Sequence, residues 1–184
     1  NAILFTSGDN DTYPLLYCQE VEEIRTDVRI VIMPFLSANW FIDGLRQPKY
    51  NDAGLNMELP QRKYDYGELD YTPVLNKLKR DTTWEETFKF LQMENEGAKV
   101  RMSSGDKVNF IPLSNLNFQV KVDGKTGQIP VSLKGKKILS KHQLAFWDII
   151  SSNAGVRPIC FASKAEAGKH GLGNYLQCEG FVYR

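Results

Sequence analysis

Near its beginning the chain reads Ala2-Ile3-Leu4-Phe5-Thr6, an apolar run that ends at Ser7-Gly8-Asp9-Asn10-Asp11. The run predicts a buried strand, and the glycine and acidic residues predict the loop that follows it. From Thr12 onward apolar side chains recur every three or four residues, with Pro14 in the first turn, which predicts a helix. A second β-branched run follows at Asp27-Val28-Arg29-Ile30-Val31-Ile32-Met33. Two strands joined by one helix form a right-handed βαβ unit, so we expect a parallel sheet.

The rest of the chain extends this unit into an α/β fold. Further helices are predicted at residues 38–45, within 83–94 and from Ser140 to about Asn153, and the first of these should place Trp40 against the sheet. Further strands are predicted at residues 108–111, 117–122, 157–162 and 174–183, with Asp123-Gly124 as a hairpin turn signal.

These elements predict one Rossmann-like, three-layer α/β domain, residues 1–184, with a mainly parallel sheet. Its core is expected in residues 1–46 and 136–184. Residues 47–135 are expected to form an inserted middle segment, irregular in its first part and partly antiparallel β further on.

Composition excludes several function classes. The chain has 23 basic and 22 acidic residues, so its net charge of +1 provides no field that would attract nucleic acid. The longest uncharged apolar stretch, residues 30–42, contains Pro34 and falls short of the ~20 residues that a membrane helix needs, which predicts a soluble fragment. Because the chain opens with Asn1 rather than Met, we expect it to begin inside a larger gene product. Three scattered cysteines are too few for a disulfide framework.

The strongest candidate site is the loop Gly8-Asp9-Asn10-Asp11-Thr12. Open parallel sheets bind ligands beyond the carboxyl ends of their strands, close to helix N-termini. A helix N-terminus attracts anions, whereas Asp9 and Asp11 repel them unless a divalent cation lies between. Asp9-x-Asp11 after an apolar strand would suit a metal that holds the diphosphate of a nucleotide sugar. The simpler structural interpretation is that these residues cap the helix and shape the turn.

Three other side chains are candidates for chemistry. Arg157 precedes Pro158 at the entrance of a strand, where its guanidinium could bind a carboxylate or phosphate, or form a salt bridge within the fold. His142 and His170 are the only residues that could act as bases at neutral pH. His142 is predicted at the start of a helix and His170 in a solvated loop, so a structural interpretation is favoured for both.

Several short sequence blocks form one recognisable set: Gly8-Asp9-Asn10-Asp11-Thr12-Tyr13-Pro14-Leu15, Gln19-Glu20-Val21, Arg25-Thr26-Asp27-Val28, Trp40 with Ile42, Ile111-Pro112, Asn153, Arg157-Pro158-Ile159, Phe161-Ala162, Leu176-Gln177, Glu179-Gly180 and Tyr183-Arg184. Together these blocks resemble the soluble region of a bacterial family of large multi-span membrane proteins. Four positions depart from the pattern. Leu16, Val156 and Cys160 stand where aromatic residues are expected, and Glu23 stands where glycine is expected.

In that family a membrane part similar to lipid-linked-sugar glycosyltransferases, including the protein O-mannosyltransferases, precedes the soluble region. The resemblance therefore implies a domain on the extracytoplasmic, periplasmic side of the inner membrane, whose partner is the membrane-spanning part of the same polypeptide. It implies no catalysis by this fragment alone, because the catalytic acid of such enzymes generally belongs to the membrane part.

Three hypotheses are consistent with these observations. The leading one is a non-catalytic accessory domain that positions a glycan or protein acceptor, or another partner, with Asp9, Asn10, Asp11, Thr12, Trp40 and Arg157 as its ligand-facing residues. The second is a metal-dependent nucleotide-sugar transferase in which Asp9 and Asp11 hold a divalent cation. The third is a structural or protein-binding module, which a dispensable acidic loop together with an exposed apolar patch would favour.

Overall fold

The computed structural model describes residues 1–76, 80–102, 105–122 and 124–184. The α-helices are α1 (Asp9–Glu20), α2 (Asn39–Arg46), α3 (Trp84–Leu91), α4 (Lys141–Asn153) and α5 (Lys164–Lys169). The strands are β1 (Ile3–Thr6), β2 (Arg29–Ile32), β3 (Tyr71–Pro73), β4 (Thr82–Thr83), β5 (Lys99–Arg101), β6 (Lys107–Asn109), β7 (Asn115–Val122), β8 (Lys125–Ser132), β9 (Ile138–Ser140), β10 (Ile159–Phe161), β11 (Cys178–Glu179) and β12 (Val182–Tyr183). Short 3₁₀ helices occupy Met33–Ser37, Gln61–Tyr64, Glu96–Ala98 and Gly173–Tyr175.

The predicted βαβ unit is confirmed and lies at one side of a five-stranded sheet of order β11-β12-β10-β1-β2. Strand β1 pairs in parallel with β2, Phe5 opposite Val31, and in parallel with β10, Phe5 opposite Phe161. The two remaining pairs, β10 with β12 and β12 with β11, are antiparallel. The sheet is therefore mixed, and the fold is α/β with parallel and antiparallel pairs. The three-layer, Rossmann-like arrangement stays a prediction.

The exit of α1 explains why two of the quoted sequence blocks occur together. The Gln19 side-chain amide is buried and donates hydrogen bonds to the carbonyl oxygens of Arg25, at 2.8 Å, and Val28, at 2.7 Å. Glu23, which lies between Gln19 and Arg25 in sequence, has a φ of 54°, in the left-handed region that favours glycine. The position at which the resemblance expects glycine is thus one whose backbone suits glycine.

The predicted middle segment is mostly irregular at its start and forms small sheets further on. Strands β7 and β8 pair antiparallel from Asn115 opposite Ser132 to Val122 opposite Lys125, while β4 joins β7 in parallel. The hairpin predicted at Asp123-Gly124 is consistent with that pairing, although Asp123 lies outside the described residues. At the C-terminal end, the single strand predicted for residues 174–183 is wrong. It is a hairpin of β11 and β12, because Gly180, with a φ of 69°, reverses the chain.

The buried core includes side chains from both the predicted core and the predicted insert. Trp147 of α4 stacks on Trp84 of α3, with ring centroids 5.2 Å apart and planes inclined by 14°. Phe146, next in the same helix, packs edge-on against Phe5 of β1 at 5.2 Å. Helix α4 therefore joins the sheet to the inserted segment. The division at residues 46 and 136 stays a prediction.

A helix that crosses a bilayer must be both long and strongly apolar. No helix in the described part of the chain combines the length and the hydropathy that a membrane span needs.

Candidate functional site

The predicted site loop becomes the first turn of α1. Asp11 accepts backbone N–H bonds with both carboxylate oxygens, from Gly8 at 2.7 Å to Oδ1 and from Ser7 at 3.2 Å to Oδ2. Thr12 Oγ1 donates to Thr6 Oγ1 at 2.9 Å inside the fold. Asp9 and Asn10 are exposed. Asp11 and Thr12 thus fasten the helix to the end of β1, as the capping interpretation predicts, and only Asp9 and Asn10 are turned outward.

The sequence predicts a divalent cation as the cofactor that Asp9 and Asp11 hold. In the described part of the chain, no group of three His, Cys, Asp or Glu side chains is arranged to hold a metal ion. The cation site therefore stays a prediction, and Asp11 would have to share oxygens that already accept backbone hydrogen bonds.

Arg157 lies in a buried ion cluster at the other end of the sheet. Asp52 pairs with Arg29, 2.6 Å from Nη2 to Oδ1, and with Arg157 through Oδ2, and all three side chains are at least nine-tenths buried. Arg157 Nη1 also donates to Gly54 O at 3.2 Å. Burial pushes the pKa of the Asp52 carboxyl upward, but hydrogen bonds from Gly54, Arg157 and Arg29 outweigh it and hold the pKa below its usual value.

The salt-bridge interpretation of Arg157 matches this geometry. Arg157 precedes β10 and donates to the carbonyl of Ala2, which precedes β1. Asp9 and Asp11 follow β1, so parallel pairing places them at the opposite end of the strands. The structure does not bring Arg157 together with the acidic loop.

Trp40 lines an aromatic groove on the outer side of β2. This cavity of about 380 Å³ lies between α1, the edge strand β2 and the segment from Phe35 to Asp52. The expectation that Trp40 packs against the sheet is wrong. Its neighbours Ile42 and Leu45 turn inward instead, and the Trp40 side chain is 68% exposed, with the rings of Phe35 and Phe41 beside it at 6.0 and 5.7 Å.

Helix α1 adds further exposed rings next to this groove. Leu16 and Glu20 line the cavity, and Tyr13 and Tyr17, on the adjacent side of the helix, are both more than half exposed. We call Tyr13, Tyr17, Phe35, Trp40 and Tyr50 the aromatic surface. Contiguous exposed apolar patches mark interaction sites more often than single exposed residues do. Sequence reasoning identified only Trp40 of this set, because the three- and four-residue spacing predicts a helix without saying which face is buried.

Comparison with known proteins identifies the family. The sequence profile of the family described as TMEM260-associated domain 2 matches residues 1–184, the whole chain. The chain belongs to this family. No curated protein and no solved structure matches it.

Membership in TMEM260-associated domain 2 makes this chain a domain that accompanies a TMEM260-like membrane protein. The positions that depart from the resemblance fall on different parts of this domain. Leu16 lines the aromatic groove, Cys160 lies buried in β10, and Val156 is exposed in the turn after α4. Only Leu16 therefore changes the groove, which keeps its other aromatic walls.

Proposed function

We propose that this TMEM260-associated domain is a non-catalytic accessory domain of a glycosyltransferase-like membrane protein, located on the extracytoplasmic side. It docks on the membrane-spanning part of the same polypeptide and positions a glycan or protein acceptor beside it. The observation that carries the proposal is the aromatic surface, in which three exposed rings line one groove and two more are exposed on the helix beside it, on a domain of the TMEM260-associated family.

The chemistry of the aromatic surface suits docking on protein. Tyrosine and tryptophan combine a large apolar body with one polar group and are enriched at interfaces for that reason. Tyr17 Oη donates to Glu22 at 3.0 Å and Tyr50 Oη donates to Glu20, so both rings are oriented before a partner arrives. Preorganised rings lose little conformational entropy on docking.

The acidic end of α1 gives this surface a polar border. Asp9 and Asn10 are exposed at the start of the helix that carries Tyr13 and Tyr17. In the proposed assembly these two side chains face the membrane part or its acceptor, while Asp11 and Thr12 keep the helix in place.

Site-specific photo-crosslinking tests the docking. A benzophenone amino acid is placed at Tyr17 or at Trp40 of the full-length protein in its membrane, and crosslinked peptides are identified by mass spectrometry. The matched control carries the same group at Tyr66, which is 93% exposed but lies far along the chain in the irregular segment. The proposal expects crosslinks from positions 17 and 40 to membrane-spanning segments of the same polypeptide and none from position 66. Crosslinks to a separate protein would instead favour the protein-binding module, and crosslinks to neither would overturn the docking.

The exposed thiol of Cys178 tests the side of the membrane. Cys160 is buried and Cys18 half-buried, so Cys178 is the accessible cysteine of this domain. A membrane-impermeant maleimide added to intact cells should label the full-length protein, and a Cys178→Ser variant should lose that label. Labelling that requires permeabilised cells would place the domain in the cytoplasm and overturn the extracytoplasmic assignment.

A further inference from the structure

The edge strand β2 leaves backbone groups unpaired along the aromatic groove. In the part of the chain that the structure describes, β2 has a neighbouring strand on one side only, because it ends the strand order of the five-stranded sheet. Arg29 N–H donates to Ala2 O at 2.9 Å, so in a parallel pair the next β2 residue bonded to β1 is Val31. The N–H and C=O of Ile30 and the N–H of Ile32 therefore point away from β1. Both isoleucines line the groove.

The chain does not satisfy these outward groups itself. Among the described residues, no side chain and no other strand bonds to the outward groups of Ile30. The preceding outward carbonyl, that of Val28, already accepts a hydrogen bond from the Gln19 side chain at 2.7 Å. At the other end of β2, Met33 begins a 3₁₀ helix. The open part of the edge is therefore about three residues long, which suits one short strand.

Strand β2 lacks the features that usually protect a sheet edge. Edge strands avoid pairing with other chains through lysine, proline, bulges or very short length. The opposite edge, β11, is only Cys178–Glu179. Strand β2 instead presents two isoleucines, and its only charged residue, Arg29, turns inward onto Asp52. Its shelter is the groove itself, whose walls enclose about 380 Å³, a volume typical of ligand pockets rather than of the space between paired sheets.

Unpaired carboxylates stand at one end of the groove. Helix α1 contains no basic residue. Glu20 pairs with Lys49, whereas Glu22 and Glu23 have no basic side chain within ion-pair distance among the described residues. The pKa of Tyr50 is raised chiefly by its hydrogen bond to Glu20, and the charge of Glu23 adds to the effect, so Glu23 lies at the same end of the groove. This arrangement favours an occupant with a basic residue there.

The short length of the open edge indicates where its occupant comes from. A backbone hydrogen bond adds little net free energy in water, so the few bonds that Ile30 and Ile32 can form do not offset the cost of joining two separate molecules. A segment of the same polypeptide avoids most of that cost, because it is held beside the groove at a high effective concentration. A tethered segment is therefore favoured over a separate protein.

We infer that an extended segment from an extracytoplasmic loop of the membrane-spanning part pairs with β2 as a sixth strand. The inference rests on the proposed docking and specifies its geometry. Main-chain hydrogen bonds to Ile30 and Ile32 fix the register of the segment. The isoleucine side chains and the Trp40 ring select aliphatic side chains, and Glu22 and Glu23 select a lysine or arginine.

Amide hydrogen exchange in the full-length protein tests the pairing. The protein is kept in lipid nanodiscs, and fragmentation mass spectrometry resolves the single amides of β2. Val31 N–H bonds to β1 and reports that the sheet is intact. The inference expects the amides of Ile30 and Ile32 to exchange as slowly as that of Val31. Exchange of the Ile32 amide more than about tenfold faster than that of Val31 would show an open edge and overturn the inference.

A proline variant separates a hydrogen bond from simple burial. Ile32 has a φ of −82°, close to that of proline, and its N–H is not used to pair with β1, so Ile32→Pro fits the fold. Ile32→Ala is the matched control, because it removes the side chain and keeps the N–H. The Ile30 amide should exchange about tenfold faster in Ile32→Pro than in Ile32→Ala, while Val31 stays protected in both. Equal Ile30 rates in the two variants would contradict strand pairing.

Photo-crosslinking from Trp40 keeps this result separate from the proposed function. Crosslinks to membrane-spanning segments together with an unprotected Ile32 amide would retain the docking and overturn the sixth strand. An absence of crosslinks together with unprotected amides would overturn both. Protected amides together with crosslinks to a separate protein would overturn the origin of the strand in the same polypeptide.

Discussion

Helices α1 and α4 have nearly the same length and opposite surroundings. Of the thirteen residues of α4, nine are buried, including Trp147 and the acidic Asp148, whereas α1 buries only Thr12 and Gln19 of its twelve. The aromatic rings of α1 remain in water. One helix is covered by its own chain on nearly every side, and the other is covered only where it meets the sheet. Helix α4 therefore contributes mainly to the stability of the fold, whereas the outer side of α1 is available for recognition.

The polar side chains of the two helices show the same division. Asp148 accepts hydrogen bonds from the backbone of Glu58, at 2.7 Å, and of Leu59, at 3.1 Å, and from Tyr64 Oη at 2.7 Å. The Asn153 side-chain amide accepts a hydrogen bond from Asn56 N–H through Oδ1 and donates one to Asn56 O through Nδ2. Through these contacts α4 holds an irregular segment that has little regular structure of its own. The polar residues of α1 instead organise its two ends.

The largest effect is expected from the tryptophan pair. Trp147→Ala removes a fully buried ring that stacks on Trp84, so the free energy of unfolding should fall by about 3–5 kcal/mol. Trp40→Ala is the matched control, because its ring is mostly exposed, and the loss should stay below about 0.5 kcal/mol. Urea titration followed by circular dichroism measures both. Comparable losses in the two variants would mean that Trp40 is packed, and would contradict its place on the exposed aromatic surface.

The second prediction concerns Asp148 and pH. Burial raises the pKa of Asp148 to about 6, against hydrogen bonds that lower it, so the folded chain holds a proton that the unfolded chain releases near 3.8. Binding of this proton stabilises the folded chain. The stabilisation is fully present below about pH 3.8, is lost as pH rises through about 6, and amounts to a few kcal/mol at most. Asp148→Asn removes it but also turns an amide donor toward backbone donors, which should cost about 2–3 kcal/mol.

His170 changes the free energy of unfolding with pH in the opposite direction over the same pH range. With a folded pKa of about 4 against 6.5 when unfolded, it destabilises the fold as pH falls from about 6.5 to 4. The stability of Asp148→Asn should therefore rise more steeply between pH 4 and 6.5 than that of the parent chain, and the stability of His170→Gln less steeply. Parallel pH profiles for the parent chain and Asp148→Asn would show that the carboxyl is already ionised in the folded state.

Local pattern was enough to predict most of the elements in which these residues stand. The apolar run at Ile3, a helix within residues 83–94 and the helix after Ser140 are all found, because each is specified by residues a few positions apart. The partners of buried polar groups could not be predicted in this way. Asp148 meets Tyr64 across 84 positions, and Arg157 meets Asp52 across 105. Such pairs are fixed by the topology of the whole fold, which periodicity does not report.

The position of the candidate loop also follows from local pattern. The sequence places it at the carboxyl end of β1, since that position follows from strand direction alone, and its role as a ligand site stays a prediction. The expectation of a solvated loop around His170 is wrong, because residues 164–169 form α5 and His170 closes it. The sequence also does not show that the rings of Tyr13 and Tyr17 face water.

The third prediction separates the two acidic residues in the first turn of α1. Asp11→Ala removes the carboxylate that accepts the N–H groups of Ser7 and Gly8, and the free energy of unfolding should fall by about 1 kcal/mol. Asp9→Ala removes an exposed charge and should cost less than about 0.5 kcal/mol. Thermal unfolding with and without Mn²⁺ or Ca²⁺ tests the predicted cation site in the same samples. A rise in Tm that needs both carboxylates would show that they hold the ion, and equal losses without metal would contradict the capping role of Asp11.

The smallest effect is expected where each helix ends. Helix α4 leaves through Gly155, whose φ of 84° and close approach to the Lys121 backbone suit only glycine. Helix α1 leaves through Glu23, which adopts a φ of 54° without that freedom, while Ile24 N–H closes the end by donating to Cys18 O at 2.8 Å. Glu23→Gly should therefore raise the free energy of unfolding by about 0.5–1 kcal/mol, since the left-handed backbone is costly for other residues.

Charge has to be separated from backbone conformation in that experiment, because an acidic residue near a helix C-terminus is itself unfavourable. Glu23→Gln removes the charge and keeps the side chain, so it should recover only a small part of the gain, whereas Glu23→Asn, which tolerates the left-handed region, should recover more. The order Gly, Asn, Gln in thermal unfolding would locate the cost in the backbone. Equal gains from all three variants would assign the cost to the charge of Glu23. The backbone at the end of α1 would then be no more strained than that at the end of α4.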